Sequence, residues 1–240
     1  MTVTTRNERV TAGDGEHFDA RCFLPEEPGP GVVLFQEIWG VGEFIEAKAR
    51  LLAELGYVVL CPDVFWRVER HVVLAHDDAG LGAAFEYAGR FAQIPADVTS
   101  RDLVSSLDHL RSLGEVTGGL AAMGYCLGGR LAFELAAAGD PDACVSYYGS
   151  GIASELHLAD RISCPALFHF GGADPYIPHD DVEHIEEVFS KRAGSAVVVQ
   201  ADAGHAFENS FAPAFSNPDA TSVSWPRTLA FLESTLSRSG

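Results

Sequence analysis

Short apolar runs alternate along the chain with longer segments in which apolar residues recur at helical spacing. The short runs are apolar at every position, which is typical of parallel strands covered on both faces. The longer segments place apolar side chains three or four positions apart, as an amphipathic helix does. The predicted helices are 44–55, 96–113, 130–136 and 224–236, and the predicted strands are 31–36, 57–61, 119–123, 144–148, 166–170 and 196–200.

Two segments depart from this alternation. Residues 9–11 and 17–24 flank a Gly-Asp-Gly turn at 13–15, so they are predicted to form an antiparallel hairpin. The pattern is weakest over 65–93, which we expect to form excursion helices or a flap over the carboxyl edge of the sheet. The sequence therefore predicts a single α/β domain over 1–240, with a mostly parallel central sheet and helices on both faces.

Charge and hydropathy exclude several classes of function. A formal net charge of −18 without any basic stretch argues against a nucleic-acid partner. No apolar run approaches the roughly 18 residues of a membrane helix, and the first residues lack the apolar core of a signal peptide. We therefore expect a cytoplasmic protein, a monomer or small homo-oligomer, that binds neither nucleic acid nor membrane.

The cysteines do not suggest a structural framework. They are odd in number, widely spaced and mostly in apolar runs, and no two of them form a C-x-x-C pair. This pattern argues against disulfides and against a zinc site, so we expect no metal and no cofactor. The five are Cys22, Cys61, Cys126, Cys144 and Cys164.

One cysteine lies in a setting that favours chemistry. Cys126 stands between Gly124 and Gly128, after the apolar run 119–123 and before the helical segment 130–136. A nucleophile elbow consists of a strand, the turn Gly-x-nucleophile-x-Gly and a helix. The turn is so tight that the flanking positions have room for almost no side chain. Because a helix start favours the thiolate, Cys126 is a candidate nucleophile; the alternative is one more small buried residue.

Two further residues complete a hydrolytic set at predicted strand ends. Asp174 follows strand 166–170 and His205 follows strand 196–200, and open parallel sheets bind their ligands at these ends. Each motif alone would also fit an ordinary turn, but together with Cys126 they occur in the chain order of α/β-hydrolase triads. We expect the thiolate to attack an acyl carbonyl, the histidine to move the proton, and the aspartate to orient the imidazole.

Backbone groups and a fourth side chain extend this candidate site. The N–H groups of Leu127 and Ile38 are the candidate oxyanion-hole donors. Glu37 follows a predicted strand between apolar neighbours, where a carboxylate is costly unless it is paired. It is either a helix-start acid stabilised by the dipole, or a group that hydrogen-bonds the Cys126 thiol and controls its ionisation.

Four short motifs occur along the chain in a defined order. They are Gln-Glu-Ile-Trp-Gly at 36–40, Gly-Tyr-Cys-Leu-Gly-Gly at 124–129, Gly-Gly-Ala-Asp-Pro at 171–175 and Gly-His-Ala-Phe at 204–207. Together they resemble the dienelactone hydrolase (carboxymethylenebutenolidase) family, and the resemblance covers nearly the whole chain. It implies an α/β-hydrolase fold, a Cys-His-Asp triad, and hydrolysis of a small-molecule ester or lactone through an acyl-enzyme.

The resemblance also implies how such a site is controlled. In that family the resting thiol lies near a glutamate, here Glu37; substrate displaces the carboxylate, which takes the thiol proton and frees the thiolate to join the histidine. Trp39 and Tyr176 fall where the family has aromatic residues lining its pocket, and Phe207 is a further candidate for that pocket.

The substrate clamp of that family is altered here. Two arginines hold a substrate carboxylate in the family, and one of them falls at Asn209, which we assign to the pocket. The other belongs to the excursion region, where this chain offers Arg67, Arg70 and Arg90. Glu208 would further repel an anion. The resemblance therefore favours a neutral or less acidic ester or lactone.

Three alternative functions remain open from the sequence. The first is a general short-chain carboxylesterase or thioesterase, and the second is a non-catalytic redox-sensing thiol at Cys126. A sensor would not need Asp174 and His205, and no second cysteine is close in sequence to resolve an oxidised one. The third is metal hydrolysis through the His and Asp residues at 179–184, although acids at a helix start are ordinary caps.

Overall fold

One eight-stranded sheet organises the chain in a computed structural model that describes residues 2–236. The strands are β1 (Thr4–Thr11), β2 (His17–Leu24), β3 (Gly29–Phe35), β4 (Val58–Pro62), β5 (Val116–Tyr125), β6 (Ala143–Tyr147), β7 (Ala166–Gly171) and β8 (Ala196–Gln200). They lie in the order β1-β2-β4-β3-β5-β6-β7-β8. β2 pairs antiparallel with β1 and β4, and the remaining pairs are parallel.

Helices cover both faces of this sheet. Ser146 and Tyr147 are neighbours on β6, so their side chains point to opposite faces. Gly129 of the helix Leu127–Ala138 packs against the Ser146 hydroxyl, whereas Thr228 of the helix Pro218–Thr235 hydrogen-bonds the Tyr147 hydroxyl at 2.6 Å. The predicted fold class is thereby confirmed. The helices are α1 (Glu43–Glu54), α2 (Asp78–Phe91), α3 (Ala96–Ser112), α4 (Leu127–Ala138), α5 (His179–Phe189), α6 (Pro218–Thr235) and a 3-10 helix (Ile152–Arg161).

The predicted elements agree with the structure where apolar runs are continuous. All predicted strands are present, and the predicted hairpin is confirmed by antiparallel pairing of β1 with β2. The predicted single domain over 1–240 stays a prediction, and its residues 1 and 237–240 lie outside the described residues. Within 2–236, no helix is both long and apolar enough to cross a membrane.

Three elements differ from the prediction. Helix α6 begins at Pro218 rather than at 224, because the side chain of Asn217 caps the amide of Ala220 at 3.1 Å and proline is suited to a first turn. The 3-10 helix and the extent of α5 were not predicted. The segment 65–93 contains α2, whose first turn is capped by the carboxylate of Asp77.

Candidate active site

The turn between β5 and α4 has the geometry of a nucleophile elbow. Cys126 lies there with φ 54° and ψ −118°, a backbone conformation that non-glycine residues rarely adopt. A Cβ on Gly124 would lie 2.1 Å from the carbonyl oxygen of Gly128, and a Cβ on Gly128 would lie 2.4 Å from the carbonyl oxygen of Phe35. Both positions therefore require glycine, and the close approach directs the thiol to the carboxyl edge of the sheet.

The structure brings the three residues of the predicted triad together. His205 Nε2 lies 3.1 Å from the Cys126 sulfur, and His205 Nδ1 lies 2.7 Å from Asp174 Oδ2. The backbone amide of Tyr176 donates to the other carboxylate oxygen of Asp174 at 2.8 Å. The side chain of Asp174 is fully buried, so the imidazole is fixed by an acceptor that water does not reach.

The electrostatics of this set favour a charged histidine. Burial lowers the pKa of His205, but the negative charge of Cys126 and the hydrogen bond with Asp174 outweigh it and raise the pKa to about 10. A thiolate next to an imidazolium is the reactive pair of cysteine hydrolases. The arrangement can therefore supply a nucleophile and a proton donor at once.

Glu37 lies beneath this pair and is completely buried. Its Oε2 accepts from the Asn209 amide at 2.6 Å, and its Oε1 accepts from the Tyr148 hydroxyl at 3.2 Å. Burial raises the pKa of Glu37 to about 7, against the lowering effects of the Asn209 hydrogen bond and the nearby charge of His205. The expected hydrogen bond from the Cys126 thiol to Glu37 is not present in the structure, and the carboxylate accepts from Asn209 and Tyr148 instead.

The residues after His205 differ from the sequence-based expectations for Phe207 and Asn209. Ala206 has a φ of 54°, and the three residues that follow it are buried. Asn209 supports Glu37 instead of lining the substrate pocket, and the ring of Phe207 packs against that of Tyr148 at a centroid distance of 5.2 Å. Neither of them lines the cavity beside the thiol.

Glu208 does not face the cavity as a repelling charge. Its carboxylate pairs with the buried Lys48 of α1 and accepts a hydrogen bond from Ser224 of α6. The Lys48 ammonium also lies 4.3 Å from the centroid of the Trp225 ring. The expected repulsion of an anion by Glu208 is therefore wrong, because a cation balances its charge inside the protein.

Sequence reasoning missed Tyr148 and Lys48 as supports of the site. Tyr148 has a φ of 39° and follows β6, and its hydroxyl reaches Glu37, which follows β3, across the end of the intervening β5. Tyr148 is a polar aromatic residue at the end of a predicted strand, and that position is the signal that could have found it. Lys48 gave no signal beyond being a cation on the apolar face of a predicted helix.

A cavity of about 340 Å³ opens beside Cys126 and His205. Four predicted residues, Ile38, Trp39, Leu127 and Tyr176, line it, which places both candidate oxyanion donors beside the thiol. The remaining lining residues are Leu81, Phe85, Ala88, Phe91, Ala92, Arg130, Ser150 and Phe215.

The three arginines of the excursion region lie elsewhere. Arg67 pairs with Asp102, and Arg70 and Arg90 donate to backbone carbonyls. None of the three lines the cavity. Residues 2–236 contain no group of three or more His, Cys, Asp or Glu side chains placed to hold a metal ion.

Comparisons with known proteins show the family of this chain. The profile of the dienelactone hydrolase family matches residues 18–236. A carboxymethylenebutenolidase from a Pseudomonas species is 35% identical over 233 residues, 96% of each chain, and one from Cupriavidus pinatubonensis is 33% identical over 93% of this chain and 94% of its own.

Solved structures show the same relationship. A dienelactone hydrolase-like promiscuous phosphotriesterase from metagenomic libraries is 25% identical, with a TM-score of 0.80 over 97% of this chain and 99% of its own. The family profile and the two relatives each match nearly the whole length of this chain. The chain therefore belongs to the dienelactone hydrolase family and is a hydrolase of that type.

Proposed function

We propose that this protein hydrolyses a small-molecule ester or lactone through a covalent acyl-enzyme on Cys126. The observation that carries the proposal is the 3.1 Å contact between His205 Nε2 and the Cys126 sulfur at the base of an open cavity. The relatives named carboxymethylenebutenolidase support a substrate of this kind. Cys126 and His205 are both largely buried, which strengthens the electrostatic interaction between them.

Each step follows from the positions of these groups. The Cys126 thiolate attacks the carbonyl carbon and forms a C–S bond, while the amides of Leu127 and Ile38 stabilise the oxyanion. The imidazolium of His205 gives its proton to the departing alkoxide, which in a lactone stays attached to the acyl group as a hydroxyl. Neutral His205, oriented by Asp174, then takes a proton from water, and the hydroxide displaces the thiolate to release the carboxylic acid.

Glu37 is proposed to control the ionisation of the thiol through the charge that it places near the pair. A direct hydrogen bond to the thiol is not required for this role, because the charge of Glu37 acts on His205, which contacts the thiol. With its pKa raised to about 7, Glu37 changes charge near neutral pH.

Replacement of the nucleophile tests the proposal. Cys126→Ala should lower kcat/KM for p-nitrophenyl acetate about a thousandfold, roughly 4 kcal/mol in barrier, without unfolding the protein. The matched control is Cys164→Ala, since that thiol is buried to a similar degree but lies away from the cavity. Retention of more than about a tenth of the activity in Cys126→Ala would exclude this thiol as nucleophile.

Substrate comparison separates this proposal from its alternatives. A lactone hydrolase should prefer an unsaturated lactone over p-nitrophenyl acetate and acyl-CoA, whereas a general esterase or a thioesterase should prefer one of the other two. A redox-sensing thiol would show no ester hydrolysis and would lose its response to peroxide in Cys126→Ser.

A further inference from the structure

One face of helix α2 forms the roof of the cavity. Leu81, Phe85, Ala88 and Phe91 recur at helical spacing and all line it. The acidic and basic residues of the same helix, such as Glu86, do not line it. The roof that the substrate meets is therefore apolar along three turns of helix.

The opposite side of the mouth is also apolar. Tyr176 faces Phe85 with their ring centroids 6.2 Å apart, and the two side chains are 47% and 49% exposed. Deeper in, Trp39 packs edge-on against Phe215 at 6.0 Å. Large rings exposed on both sides of an opening lose contact with water when an apolar group enters between them, which favours binding of such a group.

Each positive charge at the cavity has a negative partner within the protein. Among its lining residues, all of which are described, Arg130 is the one arginine and there is no lysine, and the imidazolium of His205 is paired with Asp174 and Cys126. Arg130 Nε lies 3.2 Å from a carboxylate oxygen of Glu134, one turn along α4, and the two side chains form an ion pair without a hydrogen bond at Nε. Asn209, at the position expected for a clamp, is buried against Glu37.

We propose that the substrate presents a neutral alkyl or aryl group, which packs between α2 and Tyr176 beside the reacting carbonyl. This inference rests on the ester or lactone hydrolysis proposed above and names its substrate class. A volume of about 340 Å³ lies at the low end of ligand pockets, roughly 300–1,000 Å³, so the group is of short-chain or single-ring size.

A series of p-nitrophenyl esters with growing acyl chains tests the class. From acetate to hexanoate, kcat/KM should rise about fourfold for each buried methylene, the fold-change that corresponds to about 0.8 kcal/mol. A parallel series of acetate esters with growing alkyl alcohols identifies which side of the ester enters the cavity. A rise in either series supports the proposal, and a flat response in both overturns it.

A charged ester of the same length tests whether the cavity prefers a neutral group. The p-nitrophenyl monoester of adipate matches hexanoate but ends in a carboxylate, so its kcat/KM should be at least tenfold lower, because a buried carboxylate without a partner is costly. Equal or better hydrolysis of the adipate ester would show that Arg130 binds anions and would overturn the proposal.

Substitutions on α2 localise the effect. Ala88→Phe should lower the hexanoate-to-acetate ratio of kcat/KM at least tenfold. If this phenylalanine impairs folding, Ala92→Leu is the second variant, and it should lower the same ratio. Glu86→Phe places the same aromatic ring on α2 away from the cavity and should keep the ratio within about twofold. Equal ratios in all variants would show that α2 does not contact the substrate.

A binding measurement makes the comparison independent of turnover. Calorimetric titration with hexanamide and with adipic acid monoamide should show tighter binding of the neutral amide in wild type and weaker binding of it in Ala88→Phe. If no ester is cleaved but this pattern appears, the proposed chemistry fails while the proposed ligand class stands. Tighter binding of the charged amide overturns the proposal directly.

Discussion

At the scale of single side chains, the carboxylate of Glu37 is held between two donors, Tyr148 and Asn209, that support a charge disfavoured by burial. Its pKa in the folded protein, about 7, lies above the ordinary value of 4.5. The folded state therefore binds this proton more tightly than the unfolded chain does. The cost to stability is absent below pH 4.5, grows between pH 4.5 and 7, and is complete above pH 7.

Replacing Glu37 with a neutral amide should remove this pH dependence. We expect the stability of Glu37→Gln relative to wild type to rise by about 2–3 kcal/mol between pH 5 and pH 8, since each pKa unit corresponds to roughly 1.4 kcal/mol. Urea unfolding of both proteins at pH 5 and pH 8 measures this difference in the free energy of unfolding. The exposed Glu54→Gln is the control and should show no such trend. A relative stability that is equal at both pH values would show that Glu37 is not strained by burial.

The same variant tests the control of the thiol. Removing a negative charge near the Cys126 thiolate should speed its alkylation by iodoacetamide, while ester hydrolysis slows. Superimposable pH profiles of alkylation in Glu37→Gln and wild type would remove this role from Glu37.

At the scale of elements, the elbow between β5 and α4 depends on backbone atoms that cannot move independently. Gly124→Ala should reduce the free energy of unfolding by about 1–3 kcal/mol or more and reduce kcat, because its Cβ would overlap the Gly128 carbonyl. Gly114→Ala meets no atom within 4 Å and should change stability by less than about 1 kcal/mol. Urea unfolding and ester hydrolysis of both variants decide the point. Similar behaviour of the two would mean that the elbow tolerates a side chain.

Continuous apolar runs made the strands of this sheet predictable. A strand that is covered on both faces is apolar at every position, so the run identifies the strand without knowledge of its neighbours. The 3-10 helix Ile152–Arg161 has no comparable local pattern, because its position depends on packing against α4 and α5. The start of α6 was not predicted, because the residues that mark it, Asn217 and Pro218, precede the apolar repeat of the helix.

The candidate site was predictable where function follows from position along a strand. Cys126, Asp174 and His205 each follow a strand of a parallel sheet, so their chain order was enough to bring them together. Asn209 and Phe207 were misplaced because the backbone turns inward at Ala206, a conformation that no sequence pattern announced. Side chains that depend on long-range contacts are the ones that local sequence does not specify.

At the scale of the whole molecule, the pair of Lys48 and Glu208 joins α1 to the segment after β8 in the interior beneath the site. Lys48→Met should lower the free energy of unfolding by about 3–5 kcal/mol, because it leaves a buried carboxylate without its cation. Combining it with Glu208→Gln should recover part of that loss, as a double-mutant cycle in urea would show.

An exposed pair provides the comparison. Arg101→Met breaks a surface ion pair with Asp97 on α3 and should cost no more than about 1 kcal/mol. A loss in Lys48→Met as small as this would mean that water reaches the buried pair. It would also remove the reason to regard the pair as a support of the site.

The chain separation within the site has a consequence for its synthesis. The Cys126 sulfur and its base are 79 residues apart, and Glu37 is 172 residues from the amide that holds it. A ribosome releases the chain from its N-terminus, so every strand of the sheet emerges before His205 and Asn209 do. Until then Cys126 and Glu37 lack these partners. A chain that ended before residue 205 would contain every strand of the sheet and would still lack the site.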